Sequence, residues 1–216
     1  MSDFIIGDIH GSISSLKHLL AALTFGQKDR LIFLGDYIDR GEDSKAVLEL
    51  LMALERTHEC VFLRGNHEDM CLAWAEDREH EEGIWLYNGG IKTLRDLGQH
   101  WIPAPYLRWM ERTYLFHETP THIYVHAGLP SRPSWDMATS LEYCWIREPF
   151  LSSEYDWGKT VVFGHTIQHG APLVLANKIG IDTGSFLPGG LLTCLVLPEN
   201  RFVSANCRGV IREVRP

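Results

Sequence analysis

Paired cysteines are what this sequence most plainly lacks. Its five cysteines, Cys60, Cys71, Cys144, Cys194 and Cys207, are odd in number and scattered, and no two are spaced as Cys-x-x-Cys. That excludes a disulfide framework and predicts reduced, mostly core thiols in a cytoplasmic protein. Long apolar runs are missing too: no stretch approaches transmembrane length, so no membrane partner is expected. A signal peptide is not expected either, because the first apolar residues already read as a strand that starts at Asp3. Basic residues are in deficit, with 20 Lys and Arg against 28 Asp and Glu and a formal charge of −8. A dedicated nucleic-acid binder needs a basic surface, so that class is set aside. Net charge does not describe a local site, since clustered metal ions can make a pocket electropositive inside an acidic chain. Internal repeats, linkers and low-complexity segments are absent. What remains is a chain of 216 residues, 45% hydrophobic and 22% charged, of a size and composition that predict one globular domain over residues 1–216 with its own core.

The sequence does contain a repeated device. Four short apolar runs lead into glycine, and a metal-ligand side chain follows: Asp3 to Asp8, Leu31 to Asp36, Val61 to Asn66-His67, and Val161 to His165. Such a run bounded by glycine reads as a buried strand, with the glycine turning the chain out of the sheet. Sites in open α/β sheets form outside the carboxyl ends of the strands, so the carboxylate, amide and imidazole groups should converge there.

The first third alternates strand and helix. Ile13, Leu16, Leu20 and Leu23 recur at helical spacing with Ser12 as N-cap, and Val47, Leu50, Leu51 and Leu54 mark a second helix begun by Asp43 or Ser44. Asp8, Asp36 and Asn66 are therefore 28 and 30 residues apart, the length of one strand–helix–strand unit. From about Met70 to Arg112 the chain is helix-prone and rich in aromatics, broken by Asn88-Gly89-Gly90 and Pro103 to Pro105. It reads as a helical layer on the sheet, part of which could wall a substrate groove. The last third holds closely spaced strands near Ile123–Val125, Val161–Phe163, Leu173–Leu175, Lys178–Ile181, Leu191–Leu197 and Arg201–Ala205. Turns at Pro188-Gly189-Gly190 and Pro198-Glu199-Asn200 suggest hairpins in a second, largely antiparallel sheet.

Chemistry is concentrated in the loops. In Gly7-Asp8-Ile9-His10-Gly11, two ligands two residues apart can grip one ion from an extended segment. Gly35-Asp36-Tyr37-Ile38-Asp39-Arg40-Gly41 adds two carboxylates and a guanidinium, and Gly65-Asn66-His67-Glu68 adds an amide and an imidazole. His126 in His126-Ala127-Gly128 and His165 in Gly164-His165-Thr166 complete the set. A mixed oxygen and nitrogen donor set suits manganese, iron or zinc rather than a thiolate zinc site.

These loops resemble the signatures GDxHG, GDxVDRG and GNHE, followed by two later histidines, of the PPP family of metal-dependent serine/threonine protein phosphatases. With about 5% usage per residue type, one four-position signature arises by chance on the order of once in a thousand chains this long, and three in order leave chance negligible. The compact length, His126-Ala127-Gly128 and Cys144-Trp145-Ile146-Arg147-Glu148 look like the bacterial and phage branch. The resemblance implies an α/β calcineurin-like metallophosphoesterase sandwich, two mixed β-sheets flanked by helices.

It also implies roles. Asp8 and His10 would hold one divalent ion, Asp36 would bridge, and Asn66, His126 and His165 would hold the second, with manganese preferred over iron or zinc. A bridging water would attack phosphorus in line, His67 would protonate the leaving alkoxide, Asp39 would orient His67, and Arg40 with Arg147 would bind the phosphate. A surface ion pair of Arg147 with Glu148 or Glu142 is the alternative for that residue, and Arg64 is read as a structural partner of loop carboxylates. His18, His58, His80, His100, His117, His122 and His169 match no motif, Tyr37 is as ready to pack as to touch substrate, and Asp182-Thr183-Gly184 resembles a supporting loop. The implied activity is hydrolysis of phosphoserine and phosphothreonine esters on proteins or peptides, extending to phosphotyrosine. A nucleotide hydrolase of the symmetrical diadenosine tetraphosphate type is the alternative. A binding module that lost activity is disfavoured because all the ligand positions are filled.

Overall fold

The computed structural model describes residues 1–76 and 82–215; His80 lies outside them. The strands β1 (Asp3–Ile6), β2 (Arg30–Phe33) and β3 (Glu59–Phe62) are parallel, with Ile5 opposite Ile32 and Ile32 opposite Val61. They are joined by α1 (Ile13–Ala22) and α2 (Ser44–Leu54), and β3 runs into α3 (Asn66–Ala75). Asp43, rather than Ser44, caps α2 by accepting the Ala46 N–H at 2.9 Å. Ser12 precedes α1 without a side-chain cap bond.

The middle of the chain forms short helices, as its breakers predict. These are α4 (Glu82–Trp85), a wide turn Leu86–Gly90 kinked at Gly89, α5 (Ile91–Leu97) and α6 (Ala104–Glu111). Next come β4 (Phe116–Glu118), β5 (His122–Val125), α7 (Ser140–Trp145), β6 (Thr160–Phe163), β7 (Leu173–Val174), β8 (Lys178–Gly180), β9 (Leu192–Leu197), β10 (Arg201–Ala205) and β11 (Ile211–Val214).

The strands form two mixed sheets. One has the order β11-β10-β9-β1-β2-β3 and the other β4-β5-β6-β8-β7. The second sheet is not largely antiparallel as expected, because its centre, β5-β6-β8, is parallel. The β9–β10 hairpin turned by Pro198 to Asn200 does form, but β9 pairs antiparallel to β1, so this hairpin extends the first sheet. Pro188 to Gly190 therefore carries the chain from one sheet to the other.

The sheets face each other across Ile5, Ile32, Leu34, Val61 and Leu63 on one side and Tyr124, Val162, Ile179 and Ile181 on the other. The outer face of the first sheet (Phe4, Ile6, Leu31, Phe33, Phe62) packs on Leu16, Leu19, Val47, Leu51, Met70 and Trp109 from the helices. Ile123, Val125, Val161 and Phe163 pack outward on Tyr143, Phe150 and Trp157. Burial on both faces explains why these strands read as continuous apolar runs rather than alternating ones. β1, β2 and β3 are parallel within one sheet and β5 and β6 within the other, and the loops after them meet at one edge, where Asp36 lies beside His126 and His165.

Candidate metal centre

Each predicted ligand lies just beyond one of those strand ends, or in α3's first turn. Asp8 and His10 follow β1, Asp36 follows β2, Asn66 and His67 open α3, and His126 and His165 follow β5 and β6. All are buried. The turning is done largely by the candidate site residues themselves: φ is positive at His10 (47°), Asp36 (52°), Asp39 (73°), Arg40 (64°) and His165 (62°). Left-handed backbone at non-glycine residues costs energy that the surrounding structure must offset, and it is concentrated here.

Glycine plays a different part from the one first assigned. Gly35 does turn (φ 103°), but Gly65 and Gly164 hold no left-handed φ. A Cβ at Gly65 would overlap Asp36 Oδ1, and a Cβ at Gly164 would overlap Asp8 Oδ1. These two glycines admit a carboxylate from another loop.

The donor atoms form two groups that share one carboxylate. His10, Asp36 and His67 place one atom each within 4.8 Å of one another, as do Asp36, His126 and His165. Asp36 Oδ2 is 3.4 Å from His10 Nε2, and Asp36 Oδ1 is 3.5 Å from His126 Nε2. Asn66 Oδ1 joins the second group, 3.0 Å from His126 Nε2 and 2.9 Å from His165 Nδ1. Two ligands each about 2.1 Å from one ion lie about 3.0–3.4 Å apart at octahedral or tetrahedral angles, so these spacings fit ion sharing.

Ring orientation is set from behind. His10 Nδ1 donates to the Ile38 carbonyl (3.1 Å) and His126 Nδ1 to the Leu34 carbonyl (2.8 Å), leaving each Nε2 as a lone pair. The buried atoms Asp8 Oδ1, His67 Nε2 and His165 Nε2 have no protein partner. Asp8 stands apart from both groups and is tied to the second by Oδ2, which accepts the His165 N–H at 2.9 Å.

Electrostatics follow the same division. Burial would raise the Asp36 pKa, but His126, His67, His10 and His165 hold it well below the carboxylate range. Burial lowers His10 and His126, and burial with His126 alongside takes His165 down to about 3. These imidazoles are thus kept neutral, the form in which a ring nitrogen can offer a lone pair to a metal. His67 goes the other way: burial is outweighed by Asp36 and by the hydrogen bond from Nδ1 to Asp39 Oδ2 at 2.6 Å, and its pKa is raised. Burial, then Asp182 and Asp36, pushes Asp8 up, and burial pushes Asp182 to about 6. Such crowded carboxyls call for a cation.

Other predicted residues divide. Arg40 Nη1 donates to His10 Nε2 at 3.1 Å, and its guanidinium lies 4.8 Å over the Phe186 ring. Arg147 is exposed, with its charge close enough to act on His126, His165 and Asp182. Its alternative partner Glu142 is engaged by Arg132 at 2.8 and 3.1 Å. Arg64 reaches the Glu111 carbonyl (2.8 Å) and Asp69 (3.8 Å), a structural role. Tyr37 is fully buried and donates to the Leu63 carbonyl, so it packs. His169 is exposed and lines a separate hollow with Leu187 and Arg212.

Sequence reading passed over several supports. Glu68 is buried and accepts the N–H groups of Asp36 and Tyr37 (both 2.8 Å) and Gly65 (3.0 Å), fixing the β2 loop to α3. It was visible as the last letter of the third signature. Ser185 holds the Asp8 and Ile9 carbonyls, and Phe186 stands edge-on to His10 at 4.9 Å. Trp85 and Thr93 both donate to Asp39. These come from distant segments, and no local pattern marked them.

A profile of the calcineurin-like phosphoesterase family matches residues 4–183. The chain belongs to that family. Calcineurin-like phosphoesterases use a dinuclear metal centre, and the two groups sharing Asp36 fit one. Among similar proteins, serine/threonine-protein phosphatase 1 of Salmonella typhimurium is 33% identical over 207 residues, 88% of this chain and 89% of its own. The asymmetrical bis(5'-nucleosyl)-tetraphosphatase PrpE of Oceanobacillus iheyensis is 28% identical over 231 residues, 94% of this chain and 92% of its own. A crystal structure described as a candidate diadenosine tetraphosphatase has a TM-score of 0.71 at 26% identity, covering 99% of this chain and 92% of that one. This member is therefore a phosphoester hydrolase, with protein and nucleotide substrates both represented among its relatives. No helix among the described residues is long and apolar enough to cross a membrane.

Proposed function

We propose that this phosphoesterase removes phosphate from phosphoserine and phosphothreonine in proteins or peptides, and from phosphotyrosine as a secondary activity. The observation that carries the reading is the His67–Asp39 pair beside the shared Asp36, with His67 Nε2 facing the centre unpartnered. Alkoxides of serine and threonine are poor leaving groups and need a proton, whereas a phosphoanhydride leaves as a stabilised phosphate anion.

In this reading Asp8 and His10 would hold one ion, Asn66, His126 and His165 the other, and Asp36 would serve both. Two divalent ions, manganese by preference with iron or zinc as alternatives, would when bound supply charge neutralisation of the phosphate and acidify a water for attack at neutral pH. Arg40 and Arg147 bind the phosphate oxygens that are not displaced, the planar guanidinium matching two of them at once. His67 donates its Nδ1–H to Asp39, and the charges of Asp36 and Asp39 outweigh burial to raise the imidazole's pKa, favouring the imidazolium form that carries its second proton on Nε2. That proton passes to the ester oxygen as the P–O bond breaks, leaving free alcohol and inorganic phosphate.

Similarity to a serine/threonine phosphatase along 88% of the chain supports protein substrates. The similarity to PrpE over 94% of the chain supports the second reading, dinucleotide polyphosphate hydrolysis. Side-by-side kcat/KM values on a phosphoserine peptide and on diadenosine tetraphosphate separate them. The proposal expects the peptide to be preferred; nucleotide turnover faster by orders of magnitude would overturn it.

A further inference from the structure

Asp39 is fully buried, and a buried carboxylate must have its lone pairs met by donors. Its Oδ2 accepts from His67 Nδ1 (2.6 Å) and from the indole Nε1 of Trp85 (2.9 Å). Its Oδ1 accepts from the Thr93 hydroxyl (2.6 Å), and its own N–H donates to Thr93 Oγ1 and to Ser44 Oγ, both at 3.0 Å. One short segment, Trp85 to Thr93, therefore supplies two of the three side-chain donors to this carboxylate.

The segment is shaped for close approach. A Cβ at Gly90 would lie 2.5 Å from the Trp85 ring, and Gly89, at φ 124°, would bring its Cβ within 3.1 Å of Asp39 Cβ and 3.2 Å of Arg40 N. Trp85 is itself fully buried against Trp74, 4.9 Å between ring centroids. The indole and the hydroxyl grip opposite oxygens, so the carboxylate cannot rotate about its last torsion, and the His67 ring bonded to it cannot turn away.

The geometry points to Trp85 and Thr93 as positioning residues that hold Asp39, and through it the proton on His67, for transfer to the leaving oxygen. This rests on the reading of His67 as the acid. Neither residue touches substrate. The consequence is selective by leaving group: an alkoxide needs the proton, and p-nitrophenolate departs as a stable anion without it.

The test compares kcat and KM on a phosphoserine peptide and on p-nitrophenyl phosphate for the manganese-loaded full chain and its Trp85→Phe, Thr93→Val and Thr93→Ser variants. Trp85→Phe and Thr93→Val should lower kcat on the peptide about tenfold and kcat on the aryl ester by less than about twofold, with KM unchanged. Thr93→Ser, which restores the hydroxyl, should recover the peptide rate. Parallel losses on both substrates, as a structural role alone would give, overturn the inference, and so does no loss on either. His67→Asn is run alongside. If it is selective for the peptide and the Trp85 and Thr93 variants are not, this inference fails alone; if it is not selective, the acid reading fails and takes the inference with it.

Discussion

At the scale of single residues, the centre depends on atoms that are missing. Gly65 and Gly164 each leave room for a carboxylate oxygen of Asp36 or Asp8. Gly65→Ala and Gly164→Ala should therefore displace a proposed ligand while sparing the strands, with metal content reduced and the far-ultraviolet circular dichroism unchanged. Full metal content in both variants would mean that these glycines serve some other purpose. The glycines were legible in the sequence as punctuation, but their reason was not. A sequence shows that a chain turns after a strand; it does not show that a side chain from a loop 29 residues earlier (Asp36 against Gly65) occupies the space of the missing methyl. In the same way the candidate ligands could be proposed because each lies beside its own signature, whereas Trp85 and Thr93 meet Asp39 only after folding, 46 and 54 residues along the chain.

At the scale of elements, the stretch from α7 to β8 carries Arg147, and two devices fix it. In the first, Thr139 and Glu142 cap α7 reciprocally, and Arg132 grips Glu142 through both oxygens. Arg132 and the Thr139 N–H hold the Glu142 pKa down at about 2, below its ordinary 4.5. Its contribution to stability is then complete above pH 4.5 and is lost as pH falls through about 2. Glu142→Gln should lower the free energy of urea unfolding at pH 7 by no more than about 1 kcal/mol because the pair is solvated, and the gap to the unsubstituted protein should narrow progressively below pH 4.5. A gap constant with pH would contradict this.

In the second device, Lys178 is fully buried in β8. Its Nζ donates to the carbonyls of Phe150 (2.6 Å), Leu151 (3.2 Å) and Ser153 (2.6 Å) and sits 4.8 Å from the Phe150 ring centroid. Lys178→Met would orphan those carbonyls and should cost about 2–4 kcal/mol in urea unfolding; a loss under about 1 kcal/mol would show that water replaces the ammonium. Nothing in the sequence around Lys178 announced this. Strand direction was equally hidden, since an apolar run buried on both faces looks the same whether its neighbour is parallel or antiparallel. The short edge strands β4 and β11 escaped because the first has only three residues and the second is exposed along its whole length.

At the scale of the whole molecule, two sheets of different strand order deliver their loops to one edge, and the acidic chain, with a formal charge of −8, brings His10, His67, His126 and His165 together there around Asp36. The α/β sandwich of two mixed sheets was legible because the repeated strand–helix unit and the three signatures agree with each other at every level. The central claim is that Asp36 serves two ions and that His67, though grouped with His10 and Asp36, carries a proton rather than a metal. Elemental analysis of purified variants loaded with manganese tests it most directly. The account predicts two ions per chain in the unsubstituted protein, about two in His67→Asn together with a loss of turnover of about a hundredfold or more, and near-complete loss of metal in Asp36→Asn. An emptied centre in His67→Asn, or a full one in Asp36→Asn, would contradict it.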